Sequence, residues 1–246
     1  MLILALDTTS EAGGVGIFRD HECLAQVANE GPASGYSVRL FSMVDHVIEE
    51  AERRHDGPAR GLADMGLIAV ATGPGSFTGI RVGLAAAQGW AKAFGLPIRG
   101  ITVLEALVEA GQVQTDWAVS ILDARRGDFF VELFHRQPAG GMGNPASYLP
   151  AGEGGLLSTV ELEPFFSTRL PQGAAVSCVV RGHDRAALDL RQSLSSSFRW
   201  QAVTGTLVEA IARLAFQNYR TGKPPGAGDL DARYIRRCDA ESKWQR

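Results

Sequence analysis

The sequence predicts an α/β protein built from two related lobes. An apolar strand pattern, LILAL at 2–6, is followed by a polar turn and a second apolar segment, VGIF at 15–18. Together these segments predict a hairpin. The same arrangement returns as AVSIL at 118–122 and VELF at 131–134. Helical patterns follow both hairpins, which indicates an α/β unit that occurs twice.

The two hairpins share one offset along the chain. Asp123 lies 116 positions after Asp7, and the same offset aligns the strands on both sides of these acids. A fixed internal offset indicates duplication of a structural unit, and chance similarity of two ordinary hairpins is the alternative. We therefore predict an N-terminal lobe over 1–100 and a C-terminal lobe over 101–246, whose last helix and tail could pack back on the first lobe.

The remaining elements follow from the spacing of apolar residues and from breaks at glycine and proline. Four segments have the helical pattern, namely 36–54, 79–94, 102–112 and 204–220, and two apolar runs, 67–72 and 176–180, predict buried strands. The Gly/Pro-rich segment 136–155 predicts an exposed loop inside the second lobe.

Composition and charge indicate a soluble globular protein. The 246 residues are 45% hydrophobic, and 24 Lys and Arg stand against 27 Asp and Glu, which gives a net charge of −3. We expect no general electrostatic attraction to nucleic acid or to an anionic membrane. No apolar stretch is long enough to cross a bilayer, and MLILALD lacks the basic region of a signal peptide. The expected location is the cytoplasm.

Cysteine and histidine spacing indicates neither disulfides nor a metal centre. The three cysteines lie far apart, and we predict that Cys23 and Cys178 are small buried residues. The five histidines include no closely spaced pair of the kind that binds a metal on one helix face. We therefore predict no metal site, and no catalytic serine or cysteine motif is present.

A turn of acidic and hydroxyl residues follows the first strand and consists of Asp7, Thr8 and Thr9. Such a turn can hold a metal-bound phosphate through its carboxylate and its backbone N–H groups. The alternative is structural, because the same side chains can cap a hairpin turn through hydrogen bonds to the backbone. The residue types alone favour the second interpretation.

The glycine-rich stretch TGPGSFTGIRVG at 72–83 matches no nucleotide motif. Ile80 follows Gly79 where a Walker loop needs lysine, and the glycine spacing also differs from the dinucleotide fingerprint. Gly79, Gly83 and Ala87 instead share one helical face, where another backbone can approach closely. This approach could be internal or between proteins, and we take contact with another protein as the hypothesis to test first.

Five segments in chain order resemble the TsaB/YeaZ family of bacterial tRNA threonylcarbamoyladenosine biosynthesis proteins. They are ILALDTT, ATGPGSFTGIRVGLAAAQGWA, GLPIRGITVLEAL, ILDARRGDFFVELF and ARYIRR. GPGSFTGIRVG is the specific element among them. The family commonly has a histidine near the start of its first helix, where this chain has Tyr36.

The resemblance implies a duplicated actin-like, or ASKHA (ribonuclease H-like), fold in two lobes. It also implies a non-catalytic scaffold or dimerisation subunit for TsaD, the paralogue that transfers a threonylcarbamoyl group to N6 of adenosine 37 in ANN-decoding tRNAs. TsaC and TsaE are then pathway partners, and tRNA is contacted indirectly. Asp7, Thr8 and Thr9 become a vestigial phosphate loop. No cofactor is expected, while a nucleotide at the TsaD interface and a homodimer are left open.

In this family the partner surface is associated with helices of the N-terminal lobe, which here are 36–54 and the helix that starts at Gly79. The residues that we predict for this surface are Leu40, Val44, Val47, Gly79, Val82, Gly83 and Ala86. Two other functions are kept as alternatives. One is an ASKHA-type ATPase or small-molecule kinase that uses Asp7, and the other is a metallopeptidase-like protein.

Overall fold

The computed structural model describes residues 1–55, 61–138, 147–194, 198–222 and 230. These form two compact units. The first contains Met1–Ala106 and the segment from Gly205, and the second contains Leu107–Thr204.

Each unit is built on one mixed sheet. The strands are β1 (Leu2–Asp7), β2 (Gly14–Arg19), β3 (Glu22–Ala28), β4 (Leu67–Ala71), β5 (Ile98–Ile101), β6 (Trp117–Asp123), β7 (Asp128–Gln137), β8 (Ser147–Pro150), β9 (Gly155–Ser158), β10 (Val176–Arg181) and β11 (Phe198–Val203). The helices are α1 (Tyr36–His55), α2 (Phe77–Phe94), α3 (Val103–Gly111), α4 (Thr159–Arg169), α5 (Arg185–Asp189) and α6 (Val208–Arg220).

The two sheets repeat one topology, which confirms the predicted duplication. The first has the order β3-β2-β1-β4-β5 and the second β11-β10-β6-β7-β8, with β9 also paired to β7. In each sheet an antiparallel hairpin is extended on one side by antiparallel pairing and on the other by two parallel strands. Parallel strands need crossover connections, and α2 supplies the one between β4 and β5.

The hairpins differ by one residue in their turns. Leu6 pairs with Val15 in the first hairpin, whereas Ile121, not Leu122, pairs with Val131 in the second. The second turn is therefore one residue shorter, so the common offset aligns the strands in sequence but none of their cross-strand pairs.

Helices α1 and α2 cover one face of the first sheet. The strands β1 and β4 are buried along their whole length, as expected for apolar strands that are covered on both faces. Leu40, Val44 and Val47 of α1 join the same buried cluster as Leu4 and Leu6 of β1, and so do Ile80 and Leu84 of α2. Helix α6 also belongs to this unit and packs against β1, β2, β4 and β5.

The structure corrects part of the predicted secondary structure. The segment 136–155 is not simply a loop, because β7 continues to Gln137, β8 covers Ser147–Pro150 and β9 begins at Gly155. These strands are short and glycine and proline surround them, so pairing with β7 and not local propensity determines them. Strands β3, β5 and β11 and helix α4 are also unpredicted, and α6 begins at Val208. Residues 139–146, Cys238 and the motif ARYIRR lie outside the described residues.

Within the described ranges, none of the helices combines the length and the apolar character that a transmembrane segment needs.

Candidate functional site

The turn after β1 is buried and internally hydrogen-bonded. Asp7, Thr8 and Thr9 are almost completely shielded from solvent. One carboxylate oxygen of Asp7, Oδ1, accepts hydrogen bonds from the backbone N–H of Thr9 at 3.0 Å and from its hydroxyl at 2.6 Å. This is the pattern by which an aspartate stabilises a turn, and it supports the structural interpretation of these residues.

Helix α2 begins directly on this turn. The hydroxyl of Thr8 donates to the carbonyl oxygen of Gly79 at 2.7 Å, and the N–H of Ser76 donates to the carbonyl oxygen of Thr9 at 2.7 Å. The Ser76 hydroxyl accepts from the N–H of Gly79 and so caps the helix. Two hydrogen bonds thus join the turn to the start of the helix, one from Thr8 to Gly79 and one from Ser76 to Thr9.

The glycines of TGPGSFTGIRVG make room for that turn. A Cβ atom at Gly79 would overlap the carbonyl oxygen of Thr8, and one at Gly83 would overlap the Thr8 hydroxyl. Likewise, a Cβ at Gly75 would press on the backbone of Thr9. The hypothesis of close approach to another protein is therefore corrected for these glycines, because the atoms that lie against them belong to Thr8 and Thr9 of the same chain.

The structure places the seven predicted interface residues mostly inside the first unit. Five are buried, namely Leu40, Val44 and Val47 in the core and Gly79 and Gly83 in helix α2. Val82 and Ala86 are half-buried at the edge of the same core. The apolar stripe of α1 faces its own sheet, because burial against the sheet removes more apolar surface from water than any other placement. The prediction is corrected for the five buried residues, whereas Val82 and Ala86 remain a prediction.

A different set of apolar side chains is exposed on the two helices. Val38 is 81% exposed and Phe41 59% exposed on α1, and Phe77 is 40% exposed on α2. The ring of Phe41 meets the half-buried Trp90 of α2 edge-to-face, with centroids 5.5 Å apart and an interplanar angle of 85°. We call Val38, Phe41 and Trp90 the outer face of the helix pair.

A charged residue and small residues are also exposed on α2. The guanidinium of Arg81 lies 3.8 Å from the centroid of the Phe77 ring. Ala85 and Gly89 are exposed on α2, and a Cβ at Gly89 would meet nothing within 4 Å. The sequence could have revealed Val38 and Phe41, since they are apolar residues that lie off the buried stripe of α1.

The corresponding turn of the second unit has a different hydrogen-bond pattern. The Asp123 carboxylate accepts from the N–H of Arg125 at 2.7 Å, and the N–H of Asp123 donates to Asp184 at 2.7 Å. Arg125 and Arg126 are exposed and have left-handed φ angles of 65° and 61°. The second hairpin thus repeats the acid but not the hydroxyl residues that fix it in the first.

The remaining candidate groups are the cysteine thiols and the side chains that could bind a metal ion. Cys178 is buried, as predicted, and burial raises the pKa of its thiol well above the usual range. Cys23 is exposed, which corrects the prediction, and partial desolvation and then the charge of Glu209 raise its pKa. In the part of the chain that the structure describes, no three His, Cys, Asp or Glu side chains come together in a way that could hold a metal ion.

Comparison with known sequences gives matches over about half of the chain. A family model described as TsaD, tRNA N6-adenosine threonylcarbamoyltransferase, matches residues 31–136. The chain is 30% identical over 134 residues to the tRNA threonylcarbamoyladenosine biosynthesis protein TsaB of Bacillus subtilis, covering 54% of this chain and 55% of that protein. It is 31% identical over 143 residues to the Escherichia coli protein of the same name, covering 57% and 58%. The chain therefore spans about half the length of the curated relatives that it matches.

Comparison with solved structures extends the likeness to nearly the whole chain. YeaZ from Pseudomonas aeruginosa has a TM-score of 0.68 at 21% identity, and the match covers 95% of this chain and 99% of that one. At this identity the likeness establishes the shared fold, which is the duplicated actin-like, or ASKHA, architecture. Sequence similarity over half the chain and a common fold over almost all of it confirm the resemblance to the TsaB/YeaZ family.

Proposed function

We propose that this chain acts in tRNA threonylcarbamoylation as a TsaB-type subunit and binds a TsaD-type partner through the outer face of α1 and α2. In this role it is a non-catalytic scaffold for N6-threonylcarbamoyladenosine formation at position 37 of ANN-decoding tRNAs. TsaC and TsaE belong to the same pathway, tRNA is contacted indirectly, and the location is the cytoplasm. The similarity to TsaB sequences supports this assignment.

The observation that carries the proposed binding surface is the exposure of aromatic side chains on paired helices. Phe41 keeps 59% of its surface in contact with solvent although it is already held against Trp90. Exposed apolar groups clustered in this way are typical of protein interaction sites, and aromatic residues often supply most of the binding energy. Both helices also lie inside the segment that the TsaD family model matches.

The shape of α2 favours a helical partner. Val82 and Ala86 are half-buried, and Ala85 and Gly89 beside them are exposed. Small side chains on a helix surface let a second helix approach closely, with axes that can come within about 8–10 Å. A helix pair from the partner could therefore pack across α1 and α2 with Phe41 and Trp90 as its apolar contact.

The buried turn supports a non-catalytic role. A phosphate in this turn would need free backbone donors, but the N–H of Thr9 already donates to Asp7. Gly79 and Gly83 also hold α2 directly against Thr8. The two alternatives, an ATPase or small-molecule kinase and a metallopeptidase-like protein, are not favoured by the comparisons.

Reconstituted tRNA modification tests the proposal. Purified TsaC, TsaD and TsaE are assayed for modified adenosine with and without this chain, and TsaD binding is measured by calorimetry. We expect activity to depend on the chain and Phe41→Asp to weaken TsaD binding at least tenfold. Val160→Asp is the matched control, since Val160 is 82% exposed on α4 of the second unit. Activity that does not depend on the chain would overturn the function, and equal affinities of both variants would overturn the surface.

Two further measurements address points that the proposal leaves open. Titration of TsaD with and without ATP and magnesium reports whether a nucleotide strengthens the complex. Sedimentation of the chain alone reports whether the outer face pairs with a second copy when TsaD is absent. In that case Phe41→Asp should also dissociate the homodimer.

A further inference from the structure

The turn at residues 8–11 contacts both helices that carry the outer face. On the α2 side, Thr8 donates its hydroxyl hydrogen to Gly79, and Thr9 accepts from the N–H of Ser76. Because glycines bring α2 against this turn without an intervening side chain, the helix start cannot move relative to Thr8 without breaking buried hydrogen bonds. The turn therefore fixes the position of the N-terminal end of α2.

The α1 side is held by two separate contacts. The hydroxyl of Tyr36, at the start of α1, donates to the carbonyl oxygen of Ser10 at 3.1 Å, and Tyr36 is completely buried. Farther along, Arg39 donates through Nε at 3.2 Å and Nη2 at 2.9 Å to the side-chain oxygen of Asn29. The amide nitrogen of Asn29 in turn donates to the carbonyl oxygen of Glu11 at 3.0 Å. Helix α1 is thus tied to Ser10 directly and to Glu11 through Asn29.

The first two residues of this turn therefore contact one helix and the next two are linked to the other. Thr8 and Thr9 contact α2, and Ser10 and Glu11 are linked to α1. The rings of Phe41 on α1 and Trp90 on α2 are in contact, and this contact lies on the outer face. A change in the turn should alter the relative position of the helices and so the geometry of this aromatic pair.

We propose that the turn formed by Thr8, Thr9, Ser10 and Glu11 is a positioning element that sets the geometry of the Phe41–Trp90 pair and thereby tunes partner affinity. The link to affinity rests on the proposed function, whereas the link to the aromatic pair does not. Thr8 and Tyr36 are the key side chains of this connection. The hydroxyl of Thr8 donates to α2, and the hydroxyl of Tyr36, at the start of α1, donates to the turn. This turn thus holds the start of both α1 and α2.

Hydroxyl deletion at each end tests the positioning role in the full chain. Thr8→Val and Tyr36→Phe remove one donor each with little change of shape. The chain is labelled with 5-fluorotryptophan, and the ¹⁹F resonance of Trp90 is assigned with Trp90→Phe. Phe41→Leu gives the reference shift for loss of the neighbouring ring. The matched control is Tyr148→Phe, which removes a hydroxyl that donates to the carbonyl oxygens of Thr115 at 2.5 Å and Val113 at 3.2 Å in the second unit.

We expect both turn variants to move the Trp90 resonance toward the Phe41→Leu position and the control to leave it in place. We also expect about fivefold weaker TsaD binding for the turn variants. An unmoved Trp90 resonance in both variants, or an equal movement in Tyr148→Phe, overturns the proposal. A moved resonance with unchanged TsaD affinity supports the positioning role and overturns the proposed partner surface. Failure of the positioning role and failure of the proposed partner surface therefore give different results.

Discussion

The hydroxyl of Thr8 donates a 2.7 Å hydrogen bond to the carbonyl oxygen of Gly79, which lies 71 positions later in the chain. This bond joins the turn after the first strand to the first helical residues of α2. Gly79 and Gly83 permit it, because any larger residue would place a Cβ atom on Thr8. The most distinctive motif of the sequence is therefore explained by packing inside one unit.

Gly79→Ala should destabilise the protein, although alanine normally stabilises a helix. The added Cβ would overlap a backbone oxygen, which cannot move away as a flexible side chain could. We expect a loss of about 2 kcal/mol or more in the free energy of unfolding. Gly89→Ala is the control on the same helix, since its Cβ meets nothing, and it should gain roughly 0.5–1 kcal/mol. Urea denaturation of both variants measures the difference, and equal effects would contradict the close contact with Thr8.

Val44→Asp and Phe41→Asp should separate folding from binding. Val44 is buried in the core, so a carboxylate there is expected to cost about 3 kcal/mol or more of stability. Phe41 is largely exposed, and its replacement should cost only about 1 kcal/mol from the lost contact with Trp90. Thermal unfolding monitored by circular dichroism gives both values. A stable Val44→Asp variant would show that this side chain does not face the core.

Cys178 should resist alkylation until the protein unfolds. Burial excludes the reagent and raises the pKa of the thiol, so almost no reactive thiolate forms near neutral pH. Cys23 is exposed and should react in the folded protein, although its raised pKa makes it slower than a free cysteine. Peptide mass spectrometry after timed iodoacetamide treatment, with and without urea, reads each site separately. Comparable rates at both sites in the folded protein would contradict the burial of Cys178.

Ser158→Ala should remove a pH-dependent contribution to stability. The hydroxyl of Ser158 donates to the Glu161 carboxylate at 2.6 Å, and the N–H of Ser158 donates to it at 2.8 Å. These bonds lower the pKa of that carboxyl, and the hydroxyl has the larger effect. A lowered pKa stabilises the fold above the usual pKa of the group, and this stabilisation is lost as the pH falls through the lowered value.

The difference in unfolding free energy between the wild type and Ser158→Ala should therefore be larger near neutral pH than at about pH 3. Ser167→Ala on the same helix is the control, since its hydroxyl donates only to the carbonyl oxygen of Pro164 at 3.1 Å. A pH-independent difference for Ser158→Ala would show that Glu161 does not contribute through its charge. Urea denaturation across this pH range provides the measurement.

Much of the fold could be predicted because its periodic patterns are local. The segment 2–6 is apolar throughout and 67–72 is apolar up to Thr72, and the structure buries β1 and β4 along their whole length. The helix predicted over 36–54 corresponds to α1 at Tyr36–His55, and that over 79–94 to α2 at Phe77–Phe94. Short strands such as β8 were missed, since four residues between glycines and prolines carry no period.

The candidate site was predicted less well than the elements that carry it. The two helices are those that the resemblance indicates, but Leu40, Val44 and Val47 face the sheet. Periodicity identifies the apolar stripe of a helix, and that stripe is the part that faces the core. Apolar side chains that stay exposed, such as Phe41, are exceptions to this pattern, so a search for periodicity does not select them.

By itself, the sequence determined the duplicated α/β architecture, the helices of the first unit and the family that the chain resembles. These features depend on the order of apolar residues and on motifs, which are local properties of the sequence. Only the tertiary structure decided what lies against Gly79 and which side of α1 stays exposed. Thr8 contacts Gly79, which lies 71 positions later in the chain. The two residues meet because β1 and β4 pair in the sheet and bring the segments that follow them together.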